Sequence, residues 1–253
     1  DRGLIACDLQ RVARSETREA AMQPNVGHFG RRWEPWAGFG FAVLYFFGMA
    51  ALPNTPDDKA SDSKWLAFYA ADGHRATLIL SAFVLVLAGL CLLSFVTGIW
   101  TRVRSTRPEA LNPLPVAAAA VSAACIGLAG VINATVAGAM VFGDGPEPPA
   151  SVLRFSSDMS FPMAAVGGMI AAALAVATLS AQARRAGIFG SRLAIFSYVM
   201  AVISLASFVW IPQAAMLLWC IVVGVALLRQ PETDGGAVPT ADDQQLVRIA
   251  DTR

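Results

Sequence analysis

The residues best suited to chemistry sit together in segment 61–75, which reads Ser-Asp-Ser-Lys-Trp-Leu-Ala-Phe-Tyr-Ala-Ala-Asp-Gly-His-Arg. His74 stands beside Asp72 and Arg75, and an imidazole near a carboxylate can sense pH or serve as a base. A lone histidine at the edge of an apolar run is more often a hydrated polar residue, and that reading is favoured. Ser61 or Asp62 can cap a short helix in which Trp65, Phe68 and Tyr69 fall at i, i+3 and i+4 on one face. Lys64 and Asp72 lie off that face, and Gly73 supplies a stop. The pattern predicts an amphipathic helix on an outer membrane surface or capping a bundle. An interfacial anchor is favoured over a lid across a pocket. Elsewhere, Asn133, with Thr135 two residues on, is the strongest polar group well inside an apolar run. An amide in lipid needs a partner, and a bond to another helix is favoured over contact with a ligand. Asn133, Trp65, Phe68, Tyr69 and His74 are the candidate ligand contacts.

Catalytic and cofactor signatures are not visible in the sequence. The chain of 253 residues has two histidines, His28 and His74, so a pair of axial haem ligands inside a bundle is excluded. It contains no phosphate-binding GxxxxGKS loop, no HExxH zinc motif and no GxSxG nucleophile elbow. Cys91, Cys125 and Cys220 lie in apolar runs and Cys7 lies near the start, so neither a disulfide framework nor a metal site is expected. Ser191-Arg192 and Ser156-Ser157-Asp158 read as helix-capping material. No catalytic residue, metal or cofactor is assigned. An enzyme acting at the outer surface would need Asp72, His74, Asp144, Glu147 or Asp158 to converge around His74.

The elements that must position these residues are six stretches free of Asp, Glu, Lys and Arg, at 36–52, 76–100, 116–141, 162–183, 193–210 and 211–228. An apolar run of about 18 residues or more spans a hydrocarbon layer of about 30 Å as a helix. Helix is the form that satisfies its own backbone in lipid. Hydrophobic residues make up 56% and charged residues 15%, which moves the chain out of the soluble class. The net charge of +1, with dispersed basic residues, gives no reason to expect a nucleic-acid partner. Stretch 193–228 would be about 54 Å long as one helix. A tight hairpin turning at Pro212-Gln213 is therefore expected.

Arginine placement sets the threading. Arg31 and Arg32, then Arg102, Arg104 and Arg107, then Arg184, Arg185 and Arg192, and finally Arg229 fall on one side of a six-span path. The positive-inside bias makes that side cytoplasmic. The opposite side receives loops 53–75 and 142–161, which are mixed in charge. The expected fold is an all-α, polytopic transmembrane bundle of six helices with both termini cytoplasmic, in a bacterial plasma membrane. Residues 33–230 form the transmembrane domain. Residues 1–32 read as a cytoplasmic tail, of which 1–21 lacks a signal-peptide core and reads either as part of that tail or, slightly favoured, as sequence upstream of a start at Met22. Residues 231–253 read as a mobile cytoplasmic tail.

Small residues mark the helix-packing surfaces. Ala123 and Gly127, then Gly130, Ala134 and Gly138, recur at every fourth position of the third span, and Gly167 and Gly168 open the fourth. These two spans are the expected centre of the bundle. The first three spans share no visible motif with the last three.

Segment 61–75 running into a long second span, together with Trp210-Ile-Pro212, Leu218-Trp219 and the closing Leu227-Leu-Arg229, resembles a family of uncharacterised bacterial, mainly actinobacterial, six-span integral membrane proteins of a domain-of-unknown-function type. The similarity covers about residues 33–230 and rests on loose motifs. It implies location and span count, and carries no activity or functional residues with it. The functional expectation is a non-catalytic binding or accessory protein for an apolar or lipid-like ligand or a partner subunit. Its partners are the lipid bilayer and a second copy or a membrane subunit. The rival expectation is a permease for a neutral or hydrophobic solute.

Overall fold

A computed structural model of the protein describes residues 33–50, 55–57, 59–108, 112–143, 146–206 and 210–230. The two terminal tails, Cys7, Pro53 and Asp144 lie outside the described residues. Within them the chain is helical and forms no strand. The elements are α1 (Glu34–Ala50), α2 (Asp62–Ala70), α3 (Asp72–Thr106), α4 (Leu114–Phe142), α5 (Ala150–Arg185), α6 (Ser191–Ser204) and α7 (Trp210–Arg229). Three of them, α3, α4 and α5, are long and apolar enough to cross a membrane.

Apart from the short α2, the helices pack in chain order into a closed ring: α1 on α3, α3 on α4, α4 on α5, α5 on α6, α6 on α7, and α7 back on α1. The core centres on Leu92, Phe95, Met169, Met216 and Trp219, with Phe95 and Trp219 edge to face at 5.6 Å. The outward faces are also apolar. Leu80, Phe83, Leu87 and Leu90 form an exposed stripe along α3, and Phe155, Ile170 and Leu174 are exposed on α5. Hydroxyls on the helices are satisfied locally, since Ser94, Thr101, Thr135 and Thr178 each donate to the carbonyl four residues back.

The tightest contact joins α3 and α4. A Cβ built on Gly89 would lie 2.8 Å from the carbonyl oxygen of Ala123, and one on Gly130 would lie 3.0 Å from the Cα of Ala82. Only hydrogen fits at these two positions. A Cβ on Gly167 would lie 3.1 Å from Cys125 Sγ and one on Gly168 3.0 Å from Ile126 Cγ1 of α4, one on Gly127 would make ordinary contact with Val86, and Ala134 is buried. Gly138 meets no atom within 4 Å and is not part of the seam. Span four, α5, is the most buried of the three long helices and packs on α3, α4, α6 and α7, while α3 is held by α1, α4 and α5. The glycine of α3, Gly89, is what the small-residue pattern of span three left out.

Several boundaries also shift. Helix α5 starts at Ala150, so half of the expected loop 142–161 is helix running straight into the span. Pro162 lies inside it, where proline lacks an N–H and crowds the carbonyl four residues back. The helix relieves this by widening into a π-helical turn, Met163–Gly168. Its far end closes in a Schellman turn, with Gly187 at φ 76°, Ile188 N–H donating to Ala183 O at 2.9 Å and Gly187 N–H to Arg184 O at 3.1 Å. The last two stretches form two packed helices, α6 and α7, tied by Trp219 Nε1 donating to Ser197 Oγ at 2.9 Å. The expected turn at Pro212-Gln213 is corrected, because both residues lie in the first turn of α7, where a proline needs no N–H partner. Helix α6 ends at Ser204, earlier than expected, where Leu205 and Ala206 bond three residues back and tighten the last turn.

Gly89→Ala is expected to destabilise the purified protein by about 1–3 kcal/mol through backbone overpacking. Gly138→Ala has open space and is expected to be neutral or slightly stabilising. Thermal unfolding of the two variants in the same detergent checks the contrast.

Candidate functional site

Sequence 61–75 folds into α2, one extended residue at Ala71, and the start of α3. Gly73 is not the stop. The helix breaks two residues earlier, at Ala71 (φ −76°, ψ 116°), and Gly73 lies in the first turn of α3. Trp65, Phe68 and Tyr69 share one face of α2, as the spacing requires, and all three are buried. Their neighbours are Leu78 of α3, Val136 and Ala137 of α4, and Leu153 of α5. The favoured picture of an anchor dipping its aromatic rings into lipid is therefore revised. The rings point into protein, and α2 roofs one end of α3, α4 and α5.

Three polar contacts fix this roof. Arg154 of α5 donates from Nη2 to the carbonyl of Ala60 at 2.7 Å and pairs with Asp62 at 2.6 Å, pinning the start of α2. Arg75 pairs with Asp72 at the other end. His74 stacks on Phe68, with ring centroids 4.4 Å apart, and its Nδ1–H donates to the carbonyl of Phe68 at 3.1 Å. The tautomer follows from that bond, because a carbonyl can only accept. Asp72 thus serves Arg75, and His74 joins α2 to α3. Glu147 and Asp158 are exposed. Among the described residues no group of three or more His, Cys, Asp and Glu side chains comes together to hold a metal. Cys91, Cys125 and Cys220 are free thiols.

Beneath the roof lies a set of buried polar groups. Ser156 of α5 donates to the carbonyl of Ile132 on α4 at 3.0 Å, crossing between the two helices. Burial pushes the Tyr69 phenol above its ordinary value, and the Ser156 hydroxyl beside it pulls the other way. Asn133 sits next to Ile132, 4% exposed, and precedes Val136 and Ala137 by three and four residues on the same face of α4. Its Oδ1 has no hydrogen-bond partner among the described residues, so the expected cross-helix bond from that atom is not made. Trp65 is fully buried, and its Nε1 likewise has no partner there. Thr135 bonds back to Val131 and faces outward. Of the five candidate ligand contacts, Trp65, Phe68, Tyr69 and His74 form one assembly, and Asn133 lies one helical turn deeper.

Two arrangements had no expectation attached to them. The first is the Arg154–Asp62 latch, whose partners lie 92 residues apart and so leave no local signal. The second is a buried ion pair between Glu34 of α1 and Arg102 of α3 at the opposite end of the ring. Both residues flank the charge-free stretches, and the helices extend far enough to include them. Gly98 makes the room, since a Cβ there would collide with Glu34.

The fold is thus an all-helical ring with three helices of membrane-crossing length and apolarity, roofed at one end by an amphipathic helix. No family model, curated protein or solved structure matches the chain.

Arg154→Ala is expected to unlatch α2, raising amide hydrogen exchange across residues 62–70 while α3 and α4 keep their protection. Hydrogen–deuterium exchange followed by mass spectrometry reads this. Unchanged exchange in 62–70 would show that apolar burial alone holds the roof.

Proposed function

We propose that the chain is a non-catalytic, six-crossing protein of a bacterial plasma membrane, with both termini cytoplasmic, acting as a binding or accessory protein for an apolar or lipid-like molecule or a partner subunit. The observation that carries the membrane reading is the outward-facing apolar stripe on α3, matched on α4 by Val121, Leu128 and Val131 and on α5 by Phe155, Ile170 and Leu174. Apolar surface on this scale, rimmed by charged ends, suits lipid and not water. Arginine placement supports the orientation: Arg104, Arg184, Arg185 and Arg229 all lie in last helical turns. The roof over buried hydrogen-bonding groups supports binding, because the aromatic face of α2 is already occupied and any guest must sit beneath it. Kinship with the actinobacterial six-span family belongs to the same proposal.

A permease for a neutral solute is the second reading, and the π-helical turn in α5 is what favours it. Irregular turns within spanning helices often mark functional sites. Uptake into vesicles separates the two, since a binding protein retains the solute and a permease equilibrates it.

Single cysteines placed at Lys59 and Arg104 in a background without other cysteines test the threading. The expected outcome is labelling by a membrane-impermeant maleimide at position 59 in intact cells, and at 104 only after lysis. Equal labelling at both positions would defeat the six-crossing path.

A further inference from the structure

The buried polar atoms under α2 include an unpartnered donor, Trp65 Nε1–H, an unpartnered acceptor, Asn133 Oδ1, and the Tyr69 hydroxyl beside Ser156, which can act as either. Trp65 Nε1–H and Asn133 Oδ1 are both shielded from solvent, and neither has a hydrogen-bond partner among the described residues. Each such group loses its hydration on folding without replacement, which destabilises the folded protein. Natural interiors rarely leave these groups unsatisfied without a reason. The two belong to one region, because Trp65 shares one apolar cluster with Val136 and Ala137, and Asn133 lies one turn, about 5.4 Å, from them on the same helix face. Phe68, Leu78 and Leu153 supply apolar surroundings. The charges nearby are already neutralised, Arg154 by Asp62 and Arg75 by Asp72, so nothing there favours an ion.

We propose that α2, α4 and α5 form a site for one small uncharged molecule that accepts a hydrogen bond from Trp65 Nε1–H and donates one to Asn133 Oδ1. An aliphatic alcohol or primary amide has this chemistry, with an apolar body for the surroundings and a hydroxyl or amide for the two polar atoms. The proposal deepens the binding role stated above and rests on it. It would also explain why Asn133 is kept unpaired in a helix otherwise free of large polar side chains. The amide is poised for a guest, at the expense of the empty protein's stability.

The test uses full-length protein labelled with 5-fluorotryptophan in lipid nanodiscs. The Trp65 fluorine resonance is assigned by its loss in Trp65→Phe. Hexanamide and 1-hexanol are titrated, with hexane as the apolar control. A saturable shift of the Trp65 resonance with the amide or the alcohol, absent with hexane, is expected. Asn133→Leu should weaken the apparent affinity by about tenfold, the equivalent of one hydrogen bond. The same variant should melt at a higher temperature than the parent when both are free of ligand, because an unsatisfied acceptor is gone. If Asn133 serves as structural glue, the variant melts lower, and the proposal fails. It also fails if the resonance ignores all three compounds, follows hexane equally, or titrates unchanged in Asn133→Leu. A water cross-peak at the Trp65 indole proton without any organic effect would identify trapped water as the occupant and overturn it. Resonances of the other tryptophans report whether each variant is folded. The cysteine-labelling pattern stands or falls separately, so loss of this site and loss of the six-crossing reading are distinguishable.

Discussion

Helices α3 and α4 approach until backbone meets backbone, because at Gly89 and Gly130 neither carries a side chain. A carbonyl at 2.8 Å from where a Cβ would be leaves no space for even one methyl group. Dispersion between closely apposed helices grows with the number of atoms at optimal distance, which is how small residues hold helices together where a hydrophobic driving force is weak. The seam sets the position of α3, which in turn receives α1 on one side and α5 on another. It also fixes the ends of α3 and α4 on which α2 rests. Trp65 and Tyr69 find Leu78 and Val136 together only because the two helices are that close.

The balance of polar groups follows from the same geometry. Hydroxyls pointing outward bond to their own helix, so the outer surface presents little but hydrocarbon. Charges gather at helix ends, and those drawn inward are matched: buried Glu34 with half-buried Arg102 at one end, half-buried Arg154 with exposed Asp62 at the other. A matched pair limits the desolvation penalty that a lone charge would impose. Against that background Trp65 Nε1 and Asn133 Oδ1 have no partner beneath α2, and the buried Ser122 and Ser180 hydroxyls have none within the ring, all among the described residues.

Much of the architecture was legible in the sequence, and for physical reasons. Charge-free runs announce their helices because few other residues tolerate such surroundings, and the i, i+3, i+4 spacing of Trp65, Phe68 and Tyr69 placed them on one face of α2. What the spacing could not convey was the direction of that face, since aromatic rings suit lipid headgroups and protein interiors alike. Gly89 escaped notice because a single glycine in an apolar helix looks like any other until its partner is known. The Arg154–Asp62 latch and the Glu34–Arg102 pair join residues far apart in sequence, and no periodicity encodes a contact between different helices. Helix α5 ran through Pro162 because the π turn behind it absorbed the distortion, a compensation that residue types alone do not reveal.

The Tyr45 hydroxyl donates to Gln213 Oε1 at 2.9 Å, and Gly224 lies against Phe39 and the carbonyl of Pro35. These contacts join α1, the earliest helix of the ring to be synthesised, to α7, the latest. Until α7 has been made, the flank of α1 has no mate and the Tyr45 hydroxyl no acceptor from that helix. The ring therefore closes only once α7 is in place, and a polypeptide truncated before α7 exposes an open side that proteolytic surveillance in the cell can recognise.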